Sequence, residues 1–359
     1  MRIALVDNSR GWGGAEEIVY SLAAGLRNRG HYVGLFLRAG SESVGKFAQA
    51  GFDVWTIPRS GLRMFPGILK MIRIARNGKF DLIHVHRNHD LIAGKIVGYF
   101  AGKLPLVLTQ HCWLGNTSFP LINLPDRIVT VSKFIAGGIT ERYPALSRKI
   151  SVVHNGINLA DFAQPRDDYW GVSPALAGKG PLLGVVGYFY KNQEELIELL
   201  PRIKTVFPNV MLIIIGRDDK KGTLLEKKAA DLGVAESVFF AGNIPHEEMK
   251  HALAGLDLNI SAFRSEGFGL SVIEGMAVGT PFVGFRAGGY PDIVKNGENG
   301  YLADNREGLL QSIITALENK DTLYSIGENA MKTVSAKFSL DTMISAYEAL
   351  YRTMGDARC

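Results

Sequence analysis

Short runs of apolar, often β-branched residues recur along the chain, and each is followed by a stretch compatible with a helix. Because most of the runs are almost continuously apolar, they are typical of strands that are covered on both faces of a parallel sheet. Strands that alternate with helices predict parallel sheets joined by right-handed crossovers. The predicted strands form two series: RIALVD, YVGLFL, DVWTI, DLIHVH, LVLTQH, RIVTVS and ISVVHNG, then LLGVVG, VMLIIIG, VFFAG, LDLNISA and PFVGF.

The two series are separated by ADFAQPRDDYWGVSPALAGKGP, which is rich in Pro, Gly and charge and has no clear periodicity. A chain of 359 residues exceeds the usual size of one core, so two domains are expected. We predict doubly wound, Rossmann-like α/β domains over 1–165 and 166–338 that face a cleft. Sheets of this kind bind ligands at the carboxyl ends of their strands.

Cysteine content and the opening residues indicate the compartment. The chain has two cysteines, Cys112 and Cys359, which argues against a disulfide framework and for a reducing environment. The opening MRIALVD runs straight into a strand, and no apolar run reaches about 18 residues, the length that a membrane span needs. We therefore expect a cytoplasmic protein.

The net charge of +5 is unevenly divided. Residues 1–165 carry 20 Lys and Arg against 10 Asp and Glu, whereas the remainder carries 20 against 25. A basic half predicts an anionic partner: a membrane surface, a lipid phosphate or a nucleic acid. Residues 58–80, PRSGLRMFPGILKMIRIARNGKF, fit either a crossover helix with one solvated face or an interfacial segment on anionic lipid. Nucleic acid is not expected, because no nucleic-acid-binding module is recognisable.

The stretch SEGFGLSVIEGMAVGTP holds the densest chemistry of the chain, with Glu266 and Glu274 around the point where a loop becomes a helix. Ser271 and Glu274 have the spacing of a capping box, so a structural role for Glu274 stays open. Glu266 lies on a glycine-bracketed loop, and the helix that follows opens with the amides of Leu270 and Ser271, which suit a phosphate. Carboxylates that accept hydrogen bonds from hydroxyl groups complete the description of a nucleotide-sugar pocket.

This stretch resembles a known family. The Glu-x7-Glu spacing, the EGFGL core and the following EGMAVGTPFVGFRAGGYPDIVKNGENGYL are similar to the retaining GT-B-fold glycosyltransferases of family 4, group 1, which include phosphatidylinositol mannosyltransferases and lipopolysaccharide core glucosyltransferases. The resemblance runs nearly the whole length: GGAEEIVYSLAAGLRNRGHYV is similar to the family's N-terminal glycine loop and helix, and VVGYFYKNQEELI to its donor-phosphate segment. DLIHVH, LTQH, IVTVSKF and VVHNGINLADF match successive strand ends.

The resemblance implies a GT-B fold, with a C-terminal helix over 339–359 that crosses back to the first domain. It also implies a retaining, metal-independent hexosyltransferase without a cofactor. Such an enzyme moves a hexose from a UDP-sugar or GDP-sugar to a glycan or lipid-linked acceptor, in the synthesis of cell-envelope polysaccharide, lipopolysaccharide or glycolipid. It would work in the cytoplasm or peripherally at the inner face of the cytoplasmic membrane. No nucleophile–base pair is apparent, so the resemblance favours front-face transfer, in which a donor phosphate oxygen helps to take the acceptor proton.

Carried over position by position, the resemblance also implies site roles. Glu274 would bind the ribose hydroxyls, Glu266 would contact the donor sugar near its reacting face, and Lys191 would neutralise the departing pyrophosphate. The amides implied to hold the sugar and the distal phosphate are those of Gly267, Phe268, Gly269 and Leu270. The residues implied to reach the donor from the opposite domain are Gly13 and Gly14, which would close over it, and His111, which would lie beside the sugar.

The sequence departs from the family pattern after the donor-phosphate strand, where Tyr188 stands at the place of the usual Arg. The missing cation would come from elsewhere, with Arg264 and Arg217 as candidates. The three histidines of DLIHVHRNH lack a matching carboxylate cluster, so no metal site is expected there.

Other functions were weighed against the transferase. The glycines of GWGG do not have the G-x-G-x-x-G spacing, and the second strand ends at Arg38 where an NAD site needs an acid, which argues against a dehydrogenase. A nucleotide-sugar epimerase of GT-B fold and a non-catalytic GT-B binding protein are the alternatives. An epimerase would act without an acceptor, and a binding protein would keep the fold without turnover.

Overall fold

A computed structural model describes residues 1–57, 64–113, 115, 119–163, 169–216 and 221–356. The chain forms two compact units: Met1–Gly156 together with Leu340–Cys359, and Ile157–Ser339. The domain boundary predicted at residues 165 and 166 lies outside the described residues, as do positions 58–63 of the basic segment. The helices of the described residues are all too short or too polar to span a bilayer.

The first unit is built on a seven-stranded parallel sheet. Its strands are β1 (Arg2–Asp7), β2 (Tyr32–Arg38), β3 (Asp53–Ile57), β4 (Leu82–Val85), β5 (Leu106–Gln110), β6 (Arg127–Thr130) and β7 (Ile150–Val152). Their order is β3-β2-β1-β4-β5-β6-β7, so the direction of winding reverses between β1 and β4. The carboxyl ends of these two strands form the topological switch point, where open α/β sheets bind ligands.

The second unit is built on a six-stranded parallel sheet. Its strands are β8 (Leu182–Val186), β9 (Met211–Ile215), β10 (Val238–Gly242), β11 (Leu258–Ser261), β12 (Phe282–Phe285) and β13 (Gly300–Ala303). The order β10-β9-β8-β11-β12-β13 puts the switch point between β8 and β11. The prediction of parallel-sheet α/β units is confirmed. The predicted strands do not include β13, because its apolar run YLA is only three residues long and is flanked by Gly300 and Asp304.

Helices follow the strands as the alternating pattern predicts. In chain order they are α1 (Gly14–Asn28), α2 (Glu42–Gln49), α3 (Met64–Asn77), α4 (Leu91–Phe100), α5 (Lys133–Arg142), α6 (Leu159–Phe162), α7 (Gln193–Val206), α8 (Gly222–Asp231), α9 (His246–Ala254), α10 (Leu270–Ala277), α11 (Tyr290–Ile293), α12 (Arg306–Glu318), α13 (Lys320–Lys337) and α14 (Leu340–Asp356). Short 3₁₀ turns complete some of the connections.

The last helix, α14, packs in the first unit through a buried polar network. The Tyr351 hydroxyl and Nδ1 of His84 are hydrogen-bonded at 2.7 Å, and the Tyr347 hydroxyl lies 3.0 Å from Oγ1 of Thr109. The same Thr109 oxygen lies 2.7 Å from Nε2 of His84, so both ring nitrogens of His84 have partners. Because all four side chains are buried, these hydrogen bonds fix the position of α14 on the sheet.

Candidate active site

Lys191 and Glu266 form an ion pair at the carboxyl edge of the second sheet. Lys191 lies in the turn after β8 and Glu266 in the loop after β11, and these are the two strands at the switch point. The Nζ of Lys191 donates to Oε2 of Glu266 at 2.7 Å, and the side chains are 20% and 19% exposed. Two residues predicted from separate motifs therefore meet where sheets of this type bind ligands.

The position of Lys191 depends on the turn between β8 and α7. Gly187 has φ +143°, and a Cβ there would lie 2.8 Å from Cδ of Lys191, so the lysine stem passes over a residue that must be glycine. Asn192 adopts the left-handed conformation at φ +59°, and its Nδ2 donates to the carbonyl of Ala262 at 3.3 Å. This hydrogen bond ties the turn to the segment just after β11.

The loop that carries Glu266 rests on two glycines that follow β12. A Cβ on Gly288, which has φ +60°, would lie 2.7 Å from the Glu266 carbonyl oxygen and 2.9 Å from its nitrogen. The N–H of Gly289 donates to the Glu266 carbonyl at 2.9 Å, and a Cβ there would lie 2.6 Å from Cα of Phe268. Main chain therefore packs directly on main chain, which positions the Glu266 carboxylate.

The N-terminus of α10 is open to an anion. Gly269, at φ +112°, is the N-cap residue, no side chain caps it, and the first turn has no acidic residue. The first N–H groups of a helix lack carbonyl partners within the helix and carry the positive end of its dipole, so the amides of Leu270 and Ser271 suit a phosphate. Ser271 lies inside the helix, so the capping-box interpretation of Ser271 and Glu274 is wrong. Glu274 lies half-buried on α10.

The other predicted donor contacts in this loop belong to the main chain. Gly267, Phe268 and Gly269 are buried, and the Phe268 ring packs edge-on against Phe338 with centroids 5.7 Å apart. The Phe268 side chain is therefore part of the core, and only the backbone of this segment suits a ligand.

The cations proposed to replace the family's Arg are placed as follows. Arg264 donates to both carboxylate oxygens of Glu195, at 2.7 and 2.9 Å, and stacks on Phe285. Arg217 lies outside the described residues. Tyr188 itself stacks on Tyr190 with ring centroids 5.7 Å apart. Arg264 is thus committed to a carboxylate partner, while Lys191 is the cation that the described residues place against Glu266.

In the first unit, His111 belongs to a row of three histidines at the ends of β4 and β5. The His84 and His86 rings pack at a tilt with centroids 4.1 Å apart, and Nδ1 of His86 lies 3.2 Å from Nε2 of His111. Burial lowers the pKa of both His86 and His111 to about 3, and it lowers the pKa of His84 well below its ordinary value. His111 is therefore neutral near pH 7 and can exchange hydrogen bonds but not serve as a cation.

The glycines predicted to close over the donor begin α1, next to a group of buried carboxylates. Gly13 is the N-cap residue of α1 and Gly14 its first residue. Arg87 binds Glu16 and lies 3.3 Å from Asp7, and both carboxylates are buried. Because acidic side chains already occupy the first turn of α1, its N-terminus is a weaker anion site than that of α10.

No group of three or more His, Cys, Asp or Glu residues in the described part of the chain could hold a metal ion. The histidine row is instead a structural network, since both nitrogens of His84 are hydrogen-bonded to α14 and β5.

Several site residues were missed by the sequence analysis. They are Gly187 and Asn192, which place the lysine, and Gly288 and Gly289, which carry the glutamate loop. The available signals were the GYFYKN and RAGGYP segments directly after two strands, since glycines at strand ends often mark close approach of main chain.

The two parallel α/β units and the candidate site at the carboxyl edge of the second sheet define a class of ligand-binding α/β proteins. Comparisons with known proteins identify the family. The structure of Anabaena Alr3699/HepE in complex with UDP superposes with a TM-score of 0.87 at 23% identity, over 98% of this chain and all of that one (100%). This likeness shows the fold, which is GT-B, as predicted.

Two family models match consecutive parts of the chain. Glycosyltransferase Family 4 matches residues 12–161, and Glycosyl transferases group 1 matches residues 173–333. N-acetyl-alpha-D-glucosaminyl L-malate synthase of Bacillus anthracis is 24% identical over 302 residues, 79% of this chain and 77% of that protein. The lipopolysaccharide core biosynthesis mannosyltransferase LpcC of Rhizobium leguminosarum bv. viciae is 26% identical over 291 residues, 77% of this chain and 79% of that one. The chain belongs to the family 4, group 1 glycosyltransferases, and the predicted family and enzyme class are confirmed.

Proposed function

We propose that this glycosyltransferase is a retaining, metal-independent hexosyltransferase that uses a nucleotide-diphosphate sugar. The observation that carries the proposal is the Lys191–Glu266 ion pair at the β8–β11 switch point. The loop that holds Glu266 leads into the N-terminus of α10, which has no side-chain cap. Lys191 and the first amides of α10 would hold the diphosphate, and Glu266 would accept hydrogen bonds from the sugar. Glu274 would bind the ribose hydroxyls. The HepE structure, a complex with UDP, supports a nucleotide donor.

Transfer would proceed on one face of the sugar. The bond between the anomeric carbon and the phosphate oxygen breaks, the acceptor oxygen bonds to the same face, and the acceptor proton goes to a departing phosphate oxygen. Negative charge grows on the diphosphate, so Lys191 and the α10 dipole would provide the main electrostatic stabilisation. Glu266 would orient the sugar and stabilise its developing positive charge. His111 is neutral and would act in the first unit as a hydrogen-bonding group.

The acceptor would bind to the first unit and be a glycan or lipid-linked molecule of cell-envelope polysaccharide or glycolipid synthesis. The names of two relatives refer to L-malate and to the lipopolysaccharide core, which supports an anionic or lipid-linked acceptor. The excess of ten basic residues over residues 1–165 supports the same type of acceptor. The predicted contacts of Gly13, Gly14 and His111 with the donor stay predictions.

We also propose that the first unit binds the inner face of an anionic membrane through α3 and α4, which pack side by side. On α4, large apolar side chains recur at helical spacing on the solvent side; they are Ile92 (49% exposed), Ile96 (36%), Tyr99 (64%) and Phe100 (61%). On α3, Phe65 (70%) and Leu69 (54%) are exposed, and the exposed Arg73 and Arg76 follow them further along the helix. Neither helix contains an acidic residue, so apolar side chains and cations share one surface.

The donor proposal is tested by thermal unfolding with UDP, GDP, ADP, UDP-glucose and GDP-mannose, all in EDTA. A ligand at about 100 times its Kd stabilises the folded state by about 2.7 kcal/mol. We expect ligands that share one nucleotide base to stabilise the protein in EDTA. This stabilisation should be reduced in Lys191→Ala and kept in Lys228→Ala. Lys228 pairs with Glu198 elsewhere in the same unit and serves as the matched control. The absence of any shift would contradict the donor site.

The membrane proposal is tested by co-sedimentation with vesicles of pure phosphatidylcholine and of phosphatidylcholine with phosphatidylglycerol. Binding is expected only to the anionic vesicles. The double substitution Tyr99→Ser and Phe100→Ser should weaken it about tenfold or more, because it removes two apolar side chains that insert into the membrane surface. Tyr324→Ser, which removes a side chain 71% exposed in the second unit, is the control. Equal binding by the double variant would refute this surface.

A further inference from the structure

The positive charge of Lys191 is already compensated by an ion pair before any donor binds. Its Nζ donates to the Glu266 carboxylate at 2.7 Å, and neither side chain is more than about a fifth exposed, 20% and 19%. Within the described residues, the candidate replacement cation Arg264 is held by both oxygens of Glu195. An anion that approaches this edge therefore meets an ion pair without net charge rather than a free cation. To bind Lys191, the anion must come as close to its ammonium group as the Glu266 carboxylate already is.

Glu266 cannot retreat far when the lysine changes partner. Its main chain is packed against Gly288, where a Cβ would lie 2.7 Å from the Glu266 carbonyl oxygen, and its carbonyl accepts a hydrogen bond from the N–H of Gly289 at 2.9 Å. Lys191 has the longer, flexible side chain and lies over Gly187, where the absence of a side chain leaves it room. The lysine is therefore the partner that moves, and the carboxylate stays close to the incoming phosphate.

We propose that Glu266 is an internal competitor of the donor diphosphate for Lys191, and that this competition makes the site favour the sugar nucleotide over the free nucleoside diphosphate. The inference rests on the proposed donor site. When a sugar nucleotide binds, Lys191 turns to the diphosphate and the sugar hydroxyls donate to the released carboxylate. When the product nucleoside diphosphate binds, no hydroxyl replaces the lysine, and the carboxylate faces a phosphate of like charge.

The two ligands differ further in charge. The terminal phosphate of a free nucleoside diphosphate ionises a second time near neutral pH, whereas the same phosphate esterified to a sugar does not. The repulsion from Glu266 is thus greater for the product than for the donor. A carboxylate beside the diphosphate would in this way promote product release after transfer, in addition to orienting the sugar.

The test is isothermal calorimetry of wild type and Glu266→Gln with UDP and UDP-glucose, or with the base that stabilises the protein in the thermal panel. Gln keeps the shape and an acceptor oxygen but lacks the charge. We expect UDP to bind about tenfold more tightly to Glu266→Gln, a change of about 1.4 kcal/mol, while UDP-glucose gains less or loses affinity. Glu198→Gln, which removes an equal charge from the same unit beside Lys228, is the control and should leave both affinities within about twofold.

A double-mutant cycle with Lys191→Ala separates competition from simple repulsion. If Glu266 acts by occupying the lysine, most of the tightening of UDP binding by Glu266→Gln is lost when Lys191 is already alanine. An equal tightening in both backgrounds would overturn the competition. If Glu266→Gln binds UDP as tightly as wild type or more weakly, this inference is overturned. The proposed donor site still stands in that case if Lys191→Ala binds UDP more weakly than wild type. No nucleotide binding by wild type would overturn both.

Discussion

The histidine row predicts that the first unit loses stability in mild acid. His86 and His111 are folded with a pKa of about 3, lowered by burial from an ordinary value of 6.5. A group whose folded pKa is depressed favours unfolding once the unfolded chain can take up the proton. Its stabilising effect is complete above pH 6.5 and is lost as the pH falls from 6.5 towards 3. His84 acts in the same direction.

The magnitude follows from the two pKa values. At pH 5, each of the two histidines lowers the free energy of unfolding by about 2 kcal/mol relative to pH 8, so His86 and His111 together cost about 4 kcal/mol. A domain is stable by only about 5–15 kcal/mol, so this loss is large. Activity should fall in the same range through unfolding, because the folded histidines stay neutral.

Urea unfolding at pH 8, 7, 6 and 5, followed by tryptophan fluorescence, measures this loss. Three of the four tryptophans, Trp12, Trp55 and Trp113, lie in the first unit, so the signal follows that unit. His86→Gln should reduce the acid loss by about 2 kcal/mol because one titrating group is removed. Thr130→Val is the control. It removes a buried hydroxyl of the first unit that has no hydrogen-bond partner among the described residues, and it should leave the pH dependence unchanged. A wild-type stability that does not change between pH 8 and 5 would refute the reasoning.

Three further predictions concern single substitutions. Gly288→Ala should destabilise the second unit by about 3 kcal/mol in urea unfolding, since a left-handed Ala costs about 1–2 kcal/mol and the Cβ would meet a carbonyl oxygen at 2.7 Å. Gly297→Ala, at φ +78° with open space around it, is the control for the backbone cost alone. Tyr351→Phe should cost about 1–3 kcal/mol, because His84 loses a buried partner, and stability equal to wild type would contradict this. Glu274→Ala should weaken nucleotide binding in calorimetry, and an unchanged affinity would remove it from the site.

The sheets were predictable because both faces of each central strand are covered. β9 is buried at every position, and such strands are read directly from continuous apolar runs. The apolar run of β13 is only the three residues YLA between Gly300 and Asp304, so its pattern does not distinguish it from a loop. The proximity of Lys191 and Glu266 could be expected from the resemblance of their two segments to the family and from the rule that ligands bind at strand ends.

The supporting residues of the site could not be predicted in the same way. Gly288 and Gly289 matter because they follow β12, the neighbour of β11, and that neighbour relation comes from strand order and not from local sequence. The low pKa of His86 arises from its burial in the folded unit, which no spacing reveals. The hydrogen bond between His84 and Tyr351 joins residues 267 positions apart and depends on where α14 packs.

The basic half has an acidic switch point, whereas the acidic half has the Lys191–Glu266 ion pair at its switch point. Residues 1–165 are strongly basic, yet the edge of the first sheet holds the buried carboxylates Asp7, Glu16 and Asp90 with Arg87 among them. The acidic half instead places Lys191 and an uncapped helix N-terminus at its switch point. The excess of basic charge therefore lies on the outer surface of the first unit, on helices such as α3, and not at its ligand edge. For this reason the net charge supports the proposed anionic surface as partner for the first unit, while the proposed diphosphate site lies in the half whose overall charge would have argued against it.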